Sequence, residues 1–217
     1  MRNHYTQQLD ALHAELRSLG QRVIAAITWS LGAFDQHDSI IAQRVIADDL
    51  DIDDAQYTLE EHVIGVIATQ QPVAGDLRRL LATIAVASEF ERIGDYAKSI
   101  AKTVIANSNK TPLEPSPELG IMADKALIML HKALEAFIVQ DIEAARQLAK
   151  ADDDVDELQN TIRGELLKHL QREPEQADQI VGLLALTHNL ERIADRSTNI
   201  AERVIFMVSG AQEELNP

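Results

Sequence analysis

The chain predicts an all-α fold: two tandem antiparallel three-helix bundles, six long helices in all, related by internal duplication. Three observations point there. Apolar residues recur at steps of three and four along most of the 217 residues, and no strand-like alternation competes. Only 9 Gly and 6 Pro occur, which suits long helices and few turns. Finally, Glu91-Arg92-Ile93-Gly94-Asp95 returns as Glu191-Arg192-Ile193-Ala194-Asp195. Around that motif, residues 88–106 and 188–206 align without a gap. Ile100, Ala101, Val104 and Ile105 are also repeated, the mark of a duplicated unit.

The first helix spans 3–34, with Leu9, Leu12, Leu16, Leu19, Val23, Ile27 and Leu31 on one stripe. The segment 34–38 interrupts it, and Asp38 is placed to cap the next helix. That helix spans 39–69, through Ile40, Ala47, Ile52, Leu59, Val63 and Val66. Gln71-Pro72 breaks it, because proline fits a first helical turn but not an interior one. A third helix runs to Asn107. Pro112, Pro115 and Pro117 mark a linker over 108–116, dividing a first unit, 1–107, from a second, 117–217. Pro117 opens the fourth helix, which ends near Val139. Asp141 caps the fifth, which ends near Pro174, and the sixth spans 175–209 with Gly210 as its stop. Short turns force antiparallel neighbours within each unit.

Composition excludes several function classes. Hydrophobic residues make up 46% but aromatics only 4%, so the core is built of Ala, Ile, Leu and Val. Without cysteine there is no disulfide, thiolate metal site or Cys nucleophile. A net charge of −15 opposes nucleic-acid and anionic-lipid binding. The longest apolar stretch, 80–87, is too short to span a bilayer, and no signal-peptide pattern opens the chain. A cytoplasmic protein is expected, associated with membranes only through partners.

The acidic residues carry the chemistry. Glu91 and Asp95 lie one helical turn apart, well away from the face of Phe90, Ile93, Ala97, Ile100 and Val104. Glu191 and Asp195 repeat the arrangement. The second helix of each unit has its own acidic run, at 48–54 and 152–157. Aligned on Ile52 and Val155, Asp49 matches Asp152 and Asp53 matches Asp156, again one turn apart. If the two pairs of a unit face each other, carboxylates ~4 Å apart repel by about 4 kcal/mol at an effective dielectric near 20. Such a quartet must be splayed and hydrated, protonated, paired with Lys or Arg, or bridged by cations. Carboxylates are hard ligands, suited to Mg²⁺, Ca²⁺, Mn²⁺ or iron. His188, one turn from Glu191, offers a nitrogen that Ser88 cannot. The plainer reading is a solvated acidic face, with Lys98 or Lys102 pairing the acids on the surface.

The whole chain resembles the PhoU family of phosphate-signalling regulators. The resemblance rests on the tandem units, on His4-Tyr5 with Leu9 and Leu12, on residues 71–78, and on Asn189-Leu190 leading into Glu191–Asp195. Ala194 departs from the glycine usual there, and Glu202 stands where the first copy has Lys102. The resemblance implies a negative regulator of the phosphate-starvation response, not an enzyme. It implies coupling of the ATPase subunit of a phosphate ABC transporter to a sensor histidine kinase, often as a homodimer. It also implies multinuclear iron or zinc on Asp49, Asp53, Glu91 and Asp95, and on Asp152, Asp156, Glu191 and Asp195. Asp48, Asp54, Asp153 and Glu157 are alternatives in the second-helix runs.

Two other readings compete. A di-iron oxidase would need Glu-x-x-His on two helices, and no histidine here has Glu three residues before it. A helical adaptor without metal needs only the fold.

Overall fold

A computed structural model describes residues 2–110 and 113–216, with side chains from Tyr5 onward. Thr111 and Pro112 of the linker, and the His4 side chain, lie outside the described residues. Six helices follow in order: α1 (Arg2–Gln36), α2 (Ser39–Gln70), α3 (Gly75–Asn107), α4 (Pro117–Val139), α5 (Ile142–Arg172) and α6 (Ala177–Ser209). No strand occurs among the described residues.

The stops are where local chemistry put them. Asp38 accepts hydrogen bonds from the Ile40 and Ile41 amides at 2.8 and 3.1 Å, and Asp141 accepts from Ala144 at 3.0 Å. Pro117 opens α4, and Gly210, at φ 79°, closes α6. Two boundaries differ from expectation. Pro72 sits in the connection, not in the first turn of a helix; Gln71 already ends α2 at φ 49°, and α3 starts only at Gly75. Pro174–Gln176 form a single 3₁₀ turn before α6.

The face of α2 also needs correcting. Ile40 is 77% exposed and Ala47 is also exposed, whereas the buried positions are Ala42, Val45, Asp49, Ile52, Leu59, Val63 and Val66. A buried aspartate interrupts the apolar stripe, and that interruption misplaces the stripe when only apolar residues are followed.

Within each half, three helices pack on one another, and the halves join along α3 and α6 and, more narrowly, along α1 and α4. Among the described residues α2 and α5 touch only helices of their own half, so they are the outer rods. One continuous core spans both halves. Phe90, Ile93, Ala97 and Ile100 are fully buried, as are Leu190, Ile193 and Ile200. Each large aliphatic or aromatic side chain so buried contributes about 1.5–3 kcal/mol.

Two glycines allow the close approaches. A Cβ on Gly20 of α1 would stand 2.9 Å from Leu134 of α4 and 3.0 Å from Phe90. On Gly182 of α6 it would stand 2.9 Å from Asn107 of α3. Polar contacts run along the α3–α6 seam. Arg196 Nη1 meets Glu89 Oε2 at 3.0 Å, Asn189 Nδ2 donates to Ser99 Oγ at 3.0 Å, and Arg192 Nε donates to Tyr96 Oη at 3.4 Å. Residue numbers rise on one helix as they fall on the other, so the two motif helices run antiparallel.

Phe90 touches the point where α1, α3 and α4 meet. Replacing it with alanine is expected to destabilise the chain by about 3–5 kcal/mol, read as a lower urea midpoint.

Candidate metal centre

The motif helices α3 and α6 bury their apolar faces in the seam, which turns Glu91 and Asp95, and Glu191 and Asp195, toward α2 and α5. Those outer helices answer with Asp49 and Asp53, and with Asp152 and Asp156. Burial decides the register. Asp49 and Asp152 are only 3% and 4% exposed, while Asp53 and Asp156 are partly buried. The alternatives Asp54, Asp153 and Glu157 face solvent, and Asp48 pairs with Arg44 at 3.4 Å.

In both halves the acids of the two helices come within electrostatic reach. Burial raises the Glu91 carboxyl above its ordinary range, and the charges of Asp95, Asp53 and Asp49 add to the shift. Asp53 is raised by burial and by Asp49 and Asp95. Glu191 is raised mainly by burial, with Asp195 and Asp156 adding to it against His188 and Arg192. Asp156 is raised by burial, Asp153 and Asp195. The eight acids therefore form two clusters. They do not close on a point: among the described residues, no three His, Asp or Glu side chains stand together as ligands of one ion.

The two clusters are neutralised differently. In the first, the Lys98 ammonium is hydrogen-bonded to Asp49 and lies 3.9 Å from Asp95 Oδ1. Its own pKa is raised, chiefly by the bond to Asp49. Lys98 thus stands where a cation would be needed, and it reaches across to α2 instead of pairing Glu91. Lys102 is exposed and takes no part. In the second cluster the matching residue is Thr198, whose hydroxyl donates to the Asp195 carbonyl at 2.7 Å. No ammonium enters there. Arg192 pairs with Asp195 at 2.8 Å, and Asn216 donates to Asp152 at 2.6 Å. Glu191 Oε2 is buried without a hydrogen bond, and His188 Nδ1 lies 3.3 Å from it. Asp152 is pushed up to about 7 by burial and then by Asp156, Asp195, Glu191 and Asp153.

The second cluster has the oxygen chemistry of a hard-cation site without the convergence of one, since among the described residues its side chains do not meet at a single ion. It has four carboxylates, one of them deeply buried, an unsatisfied oxygen on Glu191, and an imidazole beside it. The first offers the same four oxygen donors, with Lys98 offsetting one charge at the buried Asp49. Gly94 belongs to the same design. A Cβ there would meet Ile52 at 3.3 Å and Asp49 Oδ1 at 3.9 Å, so the small residue lets α2 bring Asp49 to α3. Ala194 is fully buried at the matching place.

The family model of the PhoU domain matches residues 16–104 and matches again over 119–204. The chain belongs to the PhoU family. Among PhoU proteins, the phosphate-specific transport system accessory protein PhoU homolog of Clostridium acetobutylicum is 34% identical over 99% of both chains. The Rhizobium meliloti homolog is 32% identical, over 97% of this chain and 89% of its own. In crystal structures, the phosphate transport system regulatory protein PhoU of Streptococcus pneumoniae superposes with a TM-score of 0.90 at 27% identity, covering 97% of this chain and 99% of that one. Pseudomonas aeruginosa PhoU superposes at 0.89 with 28% identity, covering 95% and 100%.

The sequence offers Lys98 as a surface partner of Glu91, whereas in the fold it bonds Asp49 of α2. The available signal was the loss of that lysine in the second copy. The contact from Asn216 had no signal in the motif alignment.

Two outcomes are expected. A raised carboxyl binds a proton in the folded chain that the unfolded chain releases, so its stabilising contribution is complete below 3.8 and lost as pH rises through about 7. Chelator-treated protein should melt at progressively lower temperature across that interval, and Asp152→Asn should flatten the fall. Second, Lys98→Thr in an Asp152→Asn background should bind Mn²⁺ at the first cluster at least about tenfold (~1.4 kcal/mol) more tightly than the background alone, by calorimetric titration.

Proposed function

We propose that this PhoU-family chain acts in the cytoplasm as an accessory regulator of phosphate uptake and of the phosphate-starvation response. In this reading it couples the ATPase subunit of the phosphate ABC transporter to a sensor histidine kinase and represses signalling when phosphate is plentiful. It works as a docking body, as a homodimer, and not as an enzyme. The observation that carries the reading is likeness over the full length, at 34% identity, to an accessory protein of phosphate-specific transport. Among the described residues no helix is long and apolar enough to cross a membrane, which agrees with membrane contact made through partners.

The acidic clusters give the adaptor its place for iron, zinc or another hard divalent or trivalent ion. When bound, such an ion supplies charge that holds α2 to α3, or α5 to α6, through acids on both helices. The residues of the chain position those acids: the seam faces them outward, and Asp49 and Asp152 are held by burial. A cation-free adaptor is the second reading, favoured by Lys98 filling the first cluster.

Deleting the chain should turn on starvation genes in high phosphate, and the wild-type sequence should restore repression. The variant with Glu91, Asp95, Glu191 and Asp195 all changed to alanine should fail to restore it while still folding, read by a starvation-gene reporter and by helical circular dichroism. Full repression by that variant would leave the adaptor reading standing and remove the metal from it.

A further inference from the structure

The outer rod of the first half carries a heptad seam that faces solvent. Leu50, Tyr57 and Ile64 of α2 stand seven residues apart and are 66%, 61% and 58% exposed. Alternating with them, at steps of three and four, come Ala47, Asp54, Glu61 and Ala68, all exposed. These are the two core positions of a heptad repeat, and they share the face of α2 opposite the buried Ile52, Leu59 and Val63. A seven-residue seam drifts by only about 20° per heptad around a straight helix, so a second helix can follow it along its length.

The duplication shows that the fold does not require this seam. In the register that aligns Ile52 with Val155, Asp153, Asn160 and Leu167 of α5 match Leu50, Tyr57 and Ile64, and Lys150 and Gln171 match Ala47 and Ala68. The other outer rod, in the same bundle geometry, therefore presents a polar face with Leu167 as its one large apolar residue at these positions.

Charge decides what the seam accepts. Asp54 and Glu61 lie within it, Asp51, Asp53 and Glu60 lie beside it, and no Lys or Arg occurs between Arg44 and Arg78. A second copy is disfavoured, because two such seams would gather the acids of both with no base to answer them. Anionic lipid and nucleic acid are repelled by the same acids and by the net charge of −15. A helix with an apolar stripe and Lys or Arg along it meets both requirements, burying the three anchors and pairing the acids.

We propose that the outer face of α2 docks an amphipathic basic helix of another protein, with Leu50, Tyr57 and Ile64 as its apolar anchors and Asp54 and Glu61 receiving its basic side chains. The proposal rests on the reading of the chain as a docking body and names one of its surfaces. The duplicated rod α5 lacks the seam, so the two halves present different faces to partners.

The test uses the full chain and a helical probe peptide of about three heptads, with Leu on its seam and Lys beside it. A second peptide carries Glu in place of Lys, and a third keeps the Lys peptide's composition with the stripe broken. Fluorescence anisotropy should show the Lys peptide binding at least about tenfold (~1.4 kcal/mol) more tightly than either of the others. Leu50→Asp with Tyr57→Asn gives α2 the residues that α5 holds at those positions. That variant should keep its helical circular dichroism and bind the Lys peptide at least about tenfold more weakly. Asp54→Lys with Glu61→Lys should turn the preference to the Glu peptide, whereas the same change of charge on α5, Asp153→Lys with Glu157→Lys, should leave the Lys peptide preferred. Equal binding of the Lys and broken-stripe peptides overturns the seam, as does equal loss from the α5 reversal, since either reduces the attraction to net charge. A wild-type dimer that Leu50→Asp with Tyr57→Asn splits into monomers, read by sedimentation, makes the occupant a second copy and overturns the basic partner. In the starvation-gene reporter the wild type should restore repression and the Leu50→Asp, Tyr57→Asn variant should not. Restoration by both overturns docking at α2 and leaves the docking-body reading standing. No effect of deleting the chain overturns that reading, and peptide binding then still decides the surface.

Discussion

Two aspartates held inside otherwise apolar helix faces constrain everything around them. Asp49 and Asp152 are almost fully buried, and a buried carboxylate needs a proton, a cation or a dense set of donors. The duplicated halves meet this need in different ways. The first supplies Lys98; the second raises the affinity of Asp152 for a proton and adds the amide of Asn216. Duplication thus preserved the geometry of the acids and let their neutralisation diverge.

That geometry depends on the α3–α6 seam. Both motif helices spend their apolar faces on each other and on the inner helices α1 and α4, so the Glu-x-x-x-Asp face of each can only look toward its outer neighbour. Small residues make the packing tight enough for this to matter: Gly20 and Gly182 where helices of different halves touch, Gly94 where α2 brings Asp49 to α3. A rigid spine carrying acids from continuous helices holds them more firmly than loops would. The outer rods, which among the described residues touch nothing beyond their own half, are the parts free to respond to charge placed between them and the spine.

Much of this was legible in the chain. Helix ends followed from residues whose side chains or backbone settle the matter locally: Asp38 and Asp141 as caps, Pro117 as a first-turn residue, Gly210 as a stop. The pairing of acids across helices was legible because the motif occurs twice; recurrence at matched spacing favoured Asp49, Asp53, Asp152 and Asp156, and burial then separated them from their acidic neighbours. The inward face of α2 was not legible from apolar spacing, because its centre is a polar residue. Asp49 breaks the stripe, and Ile40 and Ala47, both exposed, complete a false one.

Periodicity, capping and repetition act over a few residues, or compare two stretches of the same chain, so the sequence alone determined the six helices, their order, the duplication and the acidic runs from which each cluster draws. Which charge answers each buried acid is a matter of distance between segments remote in the chain. Lys98 meets an aspartate 49 residues away, and Asn216 one 64 residues away. Only the folded arrangement of α2 on α3, and of the closing segment on α5 and α6, could decide that Asp49 meets an ammonium while Asp152 meets a neutral amide.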